Sequence, residues 1–104
     1  MLEIVNIFRE CPFDIDQFTL HELFAGTDTK ELCVALKKGQ SMIDYESEYT
    51  ILLHLLQGAA ELHVNAKTFP LERGDMVQIA QEVKHDIIAK SDTLIRLSLR
   101  KEPQ

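Results

Sequence analysis

Cysteine is scarce in this sequence, and basic residues are outnumbered by acidic ones. The two cysteines, Cys11 and Cys33, stand far apart with no Cys-x-x-Cys pair, so we expect both thiols to be reduced. The chain carries 11 Lys and Arg against 17 Asp and Glu, a formal net charge of −6. Phosphate backbones are bound by clustered Lys and Arg, so this balance argues against a nucleic-acid partner.

Long hydrophobic runs and a leader segment are also missing. No stretch approaches the ~20 apolar residues of a membrane-spanning helix, so we expect no membrane association. Glu3 and Asn6 interrupt the first apolar stretch, and no basic segment precedes it, which argues against a signal peptide. Together with reduced cysteines, these features predict a cytoplasmic protein.

Several motifs that mark common enzymes are absent as well. The sequence has no glycine-rich phosphate loop, no Gly-x-Ser-x-Gly elbow and no Cys/His dyad. It also has no internal repeat and no linker. With 104 residues and 45% hydrophobic composition, it predicts a single globular domain over residues 1–104.

What the sequence does contain is a series of short apolar or alternating runs separated by turn signals. The run at 49–57 is apolar enough to be buried on both faces. Short strands with a turn roughly every 8–12 residues predict an all-β sandwich or barrel. The strand runs lie at residues 31–37, 49–57, 60–64, 68–71, 76–80, 85–89 and 93–99.

Local signals refine this pattern at four places. Pro70 lies inside one of the runs, which predicts an edge strand or an irregular pairing. Residues 65–67 form a turn that lacks glycine, so a residue there with positive φ carries strain. Near the N-terminus, residues 18–24 and 5–9 each fit a strand or a short helix.

About three fifths of the chain resembles the cupin core, a double-stranded β-helix or jelly-roll barrel. Gly39 and Gly58 match the opening and closing glycines of the first cupin motif at the right separation. Gly74 opens the second motif, and His85 stands at its histidine position. The resemblance implies a single-domain, RmlC-like cupin of the type 2 family, with its core at about 39–99 and further strands in the N-terminal third, up to residue 38.

The residues that hold a metal in cupins are largely replaced in this sequence. The resemblance places Tyr45 and Ser47 at the two histidine positions of the first motif and Ile51 at its glutamate position, while His85 keeps the fourth position. A divalent transition metal needs three or four converging nitrogen, oxygen or sulfur donors. We therefore expect no cofactor, with a divalent metal at His85 as the alternative.

The resemblance keeps the cupin barrel but not its metal ligands, and this combination implies a small-molecule pocket with mostly apolar walls. The alternative interpretation of His85 is a histidine hydrogen-bonded to a carbonyl or to water, and the two tyrosines also fit buried structural roles. The residues expected to line the pocket are His85, Tyr45, Ser47, Tyr49, Ile51, Leu53, Leu62 and Val77.

The opposite face of the run at 49–57 raises the question of a partner. If Ile51 points inward, Leu52, His54 and Leu56 point outward and form a mainly apolar stripe. Such a stripe has to be covered. The resemblance favours a homodimer, because small cupins commonly pair through a sheet face. The alternative is that the N-terminal segment covers the stripe within one subunit.

Three functional classes remain open at this point. The first is a small-molecule-binding cupin without a metal. The second is a metal-dependent cupin enzyme of the oxygenase or isomerase type, using His85 with acidic ligands recruited from a nearby loop. The third is a dimeric interaction or sensory module. No catalytic residue can be named from the sequence.

Overall fold

The computed structural model describes residues 1–102, so the last two residues of the predicted domain lie outside the described part of the chain. The described residues form one short helix and nine β-strands. The helix α1 is Ile7–Glu10, capped by the side chain of Asn6, which accepts a hydrogen bond from the backbone N–H of Phe8. The strands are β1 Thr19–Ala25, β2 Thr29–Leu36, β3 Ser41–Tyr45, β4 Thr50–Gln57, β5 Ala59–Val64, β6 Lys67–Glu72, β7 Met76–Ile79, β8 His85–Ala89 and β9 Thr93–Arg100.

These strands form two antiparallel sheets that pack face to face. The five-stranded sheet has the order β1-β2-β9-β4-β7, and the four-stranded sheet has the order β3-β8-β5-β6. Consecutive strands repeatedly cross from one sheet to the other, as in a jelly roll. The all-β jelly-roll prediction is therefore confirmed. The two ambiguous N-terminal segments become the helix α1 and the strand β1.

Apolar side chains from both sheets fill the space between them. Alternation along each strand sends every second side chain inward, so the interior is built from strand residues of all the central strands. Bulky apolar side chains consequently occupy much of the space between the two sheets. The buried set is Val34, Leu36, Met42, Ile51, Leu53, Leu55, Ala60, Leu62, Leu71, Ile79, Ile87, Ala89, Ile95 and Leu97.

The N-terminal segment packs on the outer face of the five-stranded sheet. Cys11 is buried there against Cys33 and Leu94, with Leu56 at the edge of the same cluster. The expected outer stripe of β4 is thus covered at one end within the subunit, whereas Leu52 at the other end remains 36% exposed. The interpretation of this run as buried on both faces is wrong, because β4 is fully buried on its inner face only.

A charged cluster on the same outer face ties β2 to β9. The Glu31 carboxylate accepts hydrogen bonds from Arg96 Nε at 3.1 Å and from Ser98 Oγ at 2.7 Å. Burial alone would raise the pKa of Glu31, but the two hydrogen bonds and the Arg96 charge outweigh it, so the pKa lies below its ordinary value. This contribution to stability is present above the ordinary pKa and is lost as the pH falls through the lowered one.

Turns and edges agree with the local sequence signals. Asn65 and Ala66 have φ values of 52° and 62°, the paired positive values of a tight hairpin turn, and they join β5 to β6 without a glycine. Pro70 lies on β6, which is an edge strand as predicted. In the described chain, no helix has the length and apolar character needed to cross a bilayer.

Gly58, between β4 and β5, has a φ of +90° and lies against the turn between β8 and β9. A Cβ atom there would collide with the Asp92 carbonyl oxygen and lie 2.7 Å from Thr93 Oγ1. Thr93 is fully buried and cannot move aside. We predict that Gly58→Ala lowers the free energy of unfolding by about 3 kcal/mol or more, measured by denaturant titration.

Gly39 supplies the matched control for this prediction. Its φ of +89° is nearly the same, but a Cβ atom there would meet nothing within 4 Å. Gly39→Ala should therefore cost only the backbone strain of the left-handed conformation, about 1 kcal/mol. Equal losses in the two variants would show that steric contact at Gly58 is not what requires glycine.

Candidate functional site

An apolar cleft opens between β6 and β7, the edge strands of the two sheets. Its volume is about 440 Å³, within the range of small-molecule pockets. Among its ten lining residues, Gln78 carries the one polar side chain. The lining residues are Leu62, Val64, Phe69, Pro70, Leu71, Val77, Gln78, Ile79, Ala80 and Val83.

The cleft exists because the two sheets end at this side without bonding to each other. β6 and β7 belong to different sheets, and Pro70 on β6 has no N–H to offer a further strand. Phe69 faces inward opposite Leu62, and Val77 faces inward opposite Leu53. No strand covers them, so Phe69 keeps 45% of its surface exposed. Inward-facing apolar side chains therefore reach solvent here.

The lining of the cleft has no ionisable side chain. An ionised ligand group would lose its hydration without gaining a charged partner, which is unfavourable. General acid–base catalysis needs a titratable side chain within hydrogen-bonding reach of the substrate, and the lining offers none. The cleft is thus suited to binding apolar surface.

His85 lies on β8, outside the cleft lining, and borders a separate, more polar recess of about 280 Å³. Its side chain faces the interior and is 5% exposed. Nδ1 donates a hydrogen bond to the Val83 carbonyl at 3.1 Å. Because Val83 also lines the cleft, this carbonyl links the imidazole to the cleft wall.

The two predicted tyrosines lie away from the cleft. Tyr45 pairs with His85 across β3 and β8, and its ring meets Phe18 edge-on with centroids 6.1 Å apart. Tyr49 is half-buried, with the Lys30 ammonium 5.8 Å from its ring centroid. Both rings are therefore engaged in contacts with other parts of the barrel.

The remaining predicted residues divide between core, loop and cleft. Leu62 and Val77 line the cleft. Ile51 and Leu53 are buried core residues on β4, each directly opposite a strand β7 residue of the cleft wall. Ser47 lies in the loop before β4, where its hydroxyl accepts a hydrogen bond from the Tyr49 N–H at 3.0 Å. The structure thus brings two of the eight predicted residues to the cleft.

The residues at the positions of cupin metal ligands do not fit a divalent ion. Tyr45 and Ser47 offer neutral hydroxyls, Ile51 offers hydrocarbon, and only His85 offers a good donor. Within residues 1–102, no three His, Cys, Asp or Glu side chains lie close enough to share an ion. The acidic residues of the neighbouring loop all face solvent: Asp44, Glu46 and Glu48.

Most of the cleft residues were not found by sequence reasoning. Val64, Phe69, Ile79 and Val83 read as ordinary alternating strand or turn residues. The one available signal was Pro70, which predicted an edge strand and hence a place where a sheet ends. The edge strand that faces β6 from the other sheet is β7. This follows from the topology, and no local sequence pattern indicates it.

Comparisons with known proteins agree with this fold. Three solved structures resemble the whole chain at low sequence identity, which shows the fold alone. An RmlC-like cupin from Desulfovibrio desulfuricans has a TM-score of 0.88 at 17% identity, covering 97% of this chain and 98% of its own. A conserved protein of unknown function from Streptococcus pyogenes has a TM-score of 0.84 at 19% identity, covering 100% and 91%. An uncharacterized double-stranded β-helix protein from Klebsiella pneumoniae has a TM-score of 0.88 at 12% identity, covering 97% and 91%.

The sequence itself also matches a family. Among curated proteins, none matches the chain. The family model described as Cupin domain matches residues 32–99, which is more than half of the chain. The match includes both motif segments that carry the resemblance and every strand from β3 to β8. The chain belongs to the cupin domain family.

Proposed function

We propose that this cupin binds a small, uncharged and largely apolar molecule in the cleft between β6 and β7, without a metal ion. The observation that carries the proposal is the cleft itself, whose lining is apolar apart from one glutamine. Ligand pockets of this volume are built from apolar walls with a few polar groups that fix orientation. The filled interior leaves the margin as the place for a ligand.

The balance of energies favours a neutral ligand. Burying about 200 Å² of apolar ligand surface contributes roughly 5 kcal/mol. Moving an unpaired charge into the same surroundings costs several kcal/mol, which cancels that gain. A neutral molecule therefore binds, while its charged analogue of the same shape is rejected.

Polar recognition in the cleft is weak. Gln78 lines the cleft, but it shares the outer-face parity of Met76 and lies opposite Leu52, so the apolar part of the ligand, between Phe69 and Val77, supplies most of the binding. His85 contributes indirectly, because it holds the Val83 carbonyl on the cleft wall.

Filling the cleft from Val77 tests this proposal. Val77 is half-buried, and its side chain points into open cleft space, so a larger side chain occupies the site without displacing the core. We predict that Val77→Trp weakens binding of the uncharged fluorescent probe N-phenyl-1-naphthylamine by about tenfold or more, measured by fluorescence titration.

Met76→Trp is the matched control on the same strand. Met76 is 57% exposed and points to the outer face, away from the cleft. This variant should bind the probe as the wild type does. Equal weakening in both variants, or no probe binding by the wild type, would contradict binding in the cleft.

Metal-dependent chemistry at His85 is the alternative function, and metal content separates it from the proposal. A single imidazole without converging carboxylates holds a divalent ion weakly. We predict that protein purified without a histidine tag contains far less than one transition metal per chain by mass spectrometry, and that His85→Ala leaves this content unchanged. Stoichiometric metal that disappears in the variant would favour the enzyme.

We also propose that the chain forms a homodimer through the outer face of the five-stranded sheet. The N-terminal segment covers one end of this face, while three large apolar residues beyond it remain exposed: Phe24, Leu52 and Met76. A two-fold pair would bring the same exposed patch of each subunit together. This surface is also the one that a dimeric interaction or sensory module would use.

A charge placed on that face tests the dimer. We predict that Leu52→Arg converts the dimer to a monomer in size-exclusion chromatography with light scattering, because an unpaired charge is buried in the interface. Ile43→Arg is the control, since Ile43 is equally apolar and 51% exposed but lies on the other sheet. A wild-type monomer at tens of micromolar would contradict the proposal.

A further inference from the structure

The fold brings together the two cysteines that the sequence keeps apart. Cys11 directly follows α1, and Cys33 lies on the outer face of β2. Both are free thiols, 3% and 0% exposed, and both belong to the small apolar cluster beneath the N-terminal segment. Among residues 1–102, the buried members of this cluster are only four: Cys11, Cys33, Ala35 and Leu94. The described chain has its two thiols side by side in the interior.

The neighbours of Cys11 hold it over the β1–β2 pair. Its Sγ lies 3.9 Å from Thr19 Oγ1, and that hydroxyl donates a hydrogen bond to the Pro12 carbonyl at 2.6 Å. Thr19 is two residues before His21, the residue directly opposite Cys33. Thr19 and Cys33 therefore lie diagonally on one face, and Cys11 sits above both.

We propose that Cys11 and Cys33 are a redox pair. Oxidation by a small-molecule disulfide, such as oxidised glutathione, joins their two sulfur atoms and thereby fixes the N-terminal segment to the five-stranded sheet. The proposal rests on the burial of both thiols in one small cluster and does not depend on the proposed ligand cleft. It differs from the sequence-based expectation of two unpaired reduced cysteines.

The reaction proceeds by two exchanges. The Cys11 thiolate attacks one sulfur of oxidised glutathione, which forms a mixed disulfide and releases one glutathione thiolate. The Cys33 thiolate then attacks the Cys11 sulfur, forms the Cys11–Cys33 bond and releases the second glutathione. The two protons lost by the cysteines are taken up by the two released thiolates. The protein loses two electrons, and the oxidant gains them.

Burial makes this reaction slow until the N-terminal segment opens. Burial raises the pKa of the Cys33 thiol to about 12, with a further contribution from the neighbouring Cys11 thiol. The thiolate is the reactive form, so the closed state reacts poorly. The covering segment is easily lifted, because α1 has only four residues and a crevice of about 300 Å³ remains beneath Val5 and Ile7.

An equilibrium experiment avoids the slow kinetics of the closed state. The full chain is unfolded, refolded in a glutathione redox buffer until exchange is complete, and then unfolded and alkylated with iodoacetamide. Intact-mass and peptide spectra are expected to show an internal Cys11–Cys33 bond and no alkylated thiol. The oxidised protein should melt roughly 10 °C above the reduced one, since the bond closes a loop of about twenty residues. Amide exchange in residues 5–13 should slow on oxidation.

Variants and alternative products make the outcome decisive. Cys11→Ser and Cys11→Ala should show no redox-dependent melting shift, and their reduced forms should keep the fold because Cys11 lies outside the main core. Two alkylated thiols at equilibrium, glutathione retained on either cysteine, or a disulfide between two chains would each overturn the proposal.

Discussion

The shared packing of two sheets into one apolar core is the constraint on which the rest of this structure depends. Each sheet contributes one face, and the inward side chains meet with almost no exposure along β2, β4 and β9. Protein interiors tolerate few voids, so a barrel of this size with bulky Leu and Ile residues cannot also hold a central cavity. Ile51 illustrates the consequence, because a residue that replaces a metal ligand becomes part of the core.

The packing of the two sheets is incomplete at one edge. The sheets share a core but not their edge strands, and between β6 and β7 the inward-facing Phe69 and Val77 have no layer above them. This is the space that the proposed ligand would fill. Among the residues at the positions of cupin metal ligands, His85 is the one good donor, and its Nδ1 donates to the Val83 carbonyl.

The outer face of the five-stranded sheet also has apolar residues that need to be covered, and here part of the cover comes from the same chain. Its apolar residues are covered at one end by a segment of the same chain, whose anchor is Cys11 against Cys33. The cover is short and ends before Leu52, so the face is partly closed and partly open. The exposed part of this face is the surface on which the proposed homodimer depends.

Local sequence patterns determined seven of the nine described strands, the glycine-free turn at Asn65 and the family to which the chain belongs, whereas β1 stayed ambiguous and β3 was not predicted. These depend on alternation, backbone preference and motif spacing, which are properties of neighbouring residues. Only the tertiary structure decided which edge strands face each other, which pocket residues stay in the core, and that Cys11 meets Cys33. Such contacts join residues distant in sequence, and their energies depend on packing that no local pattern encodes.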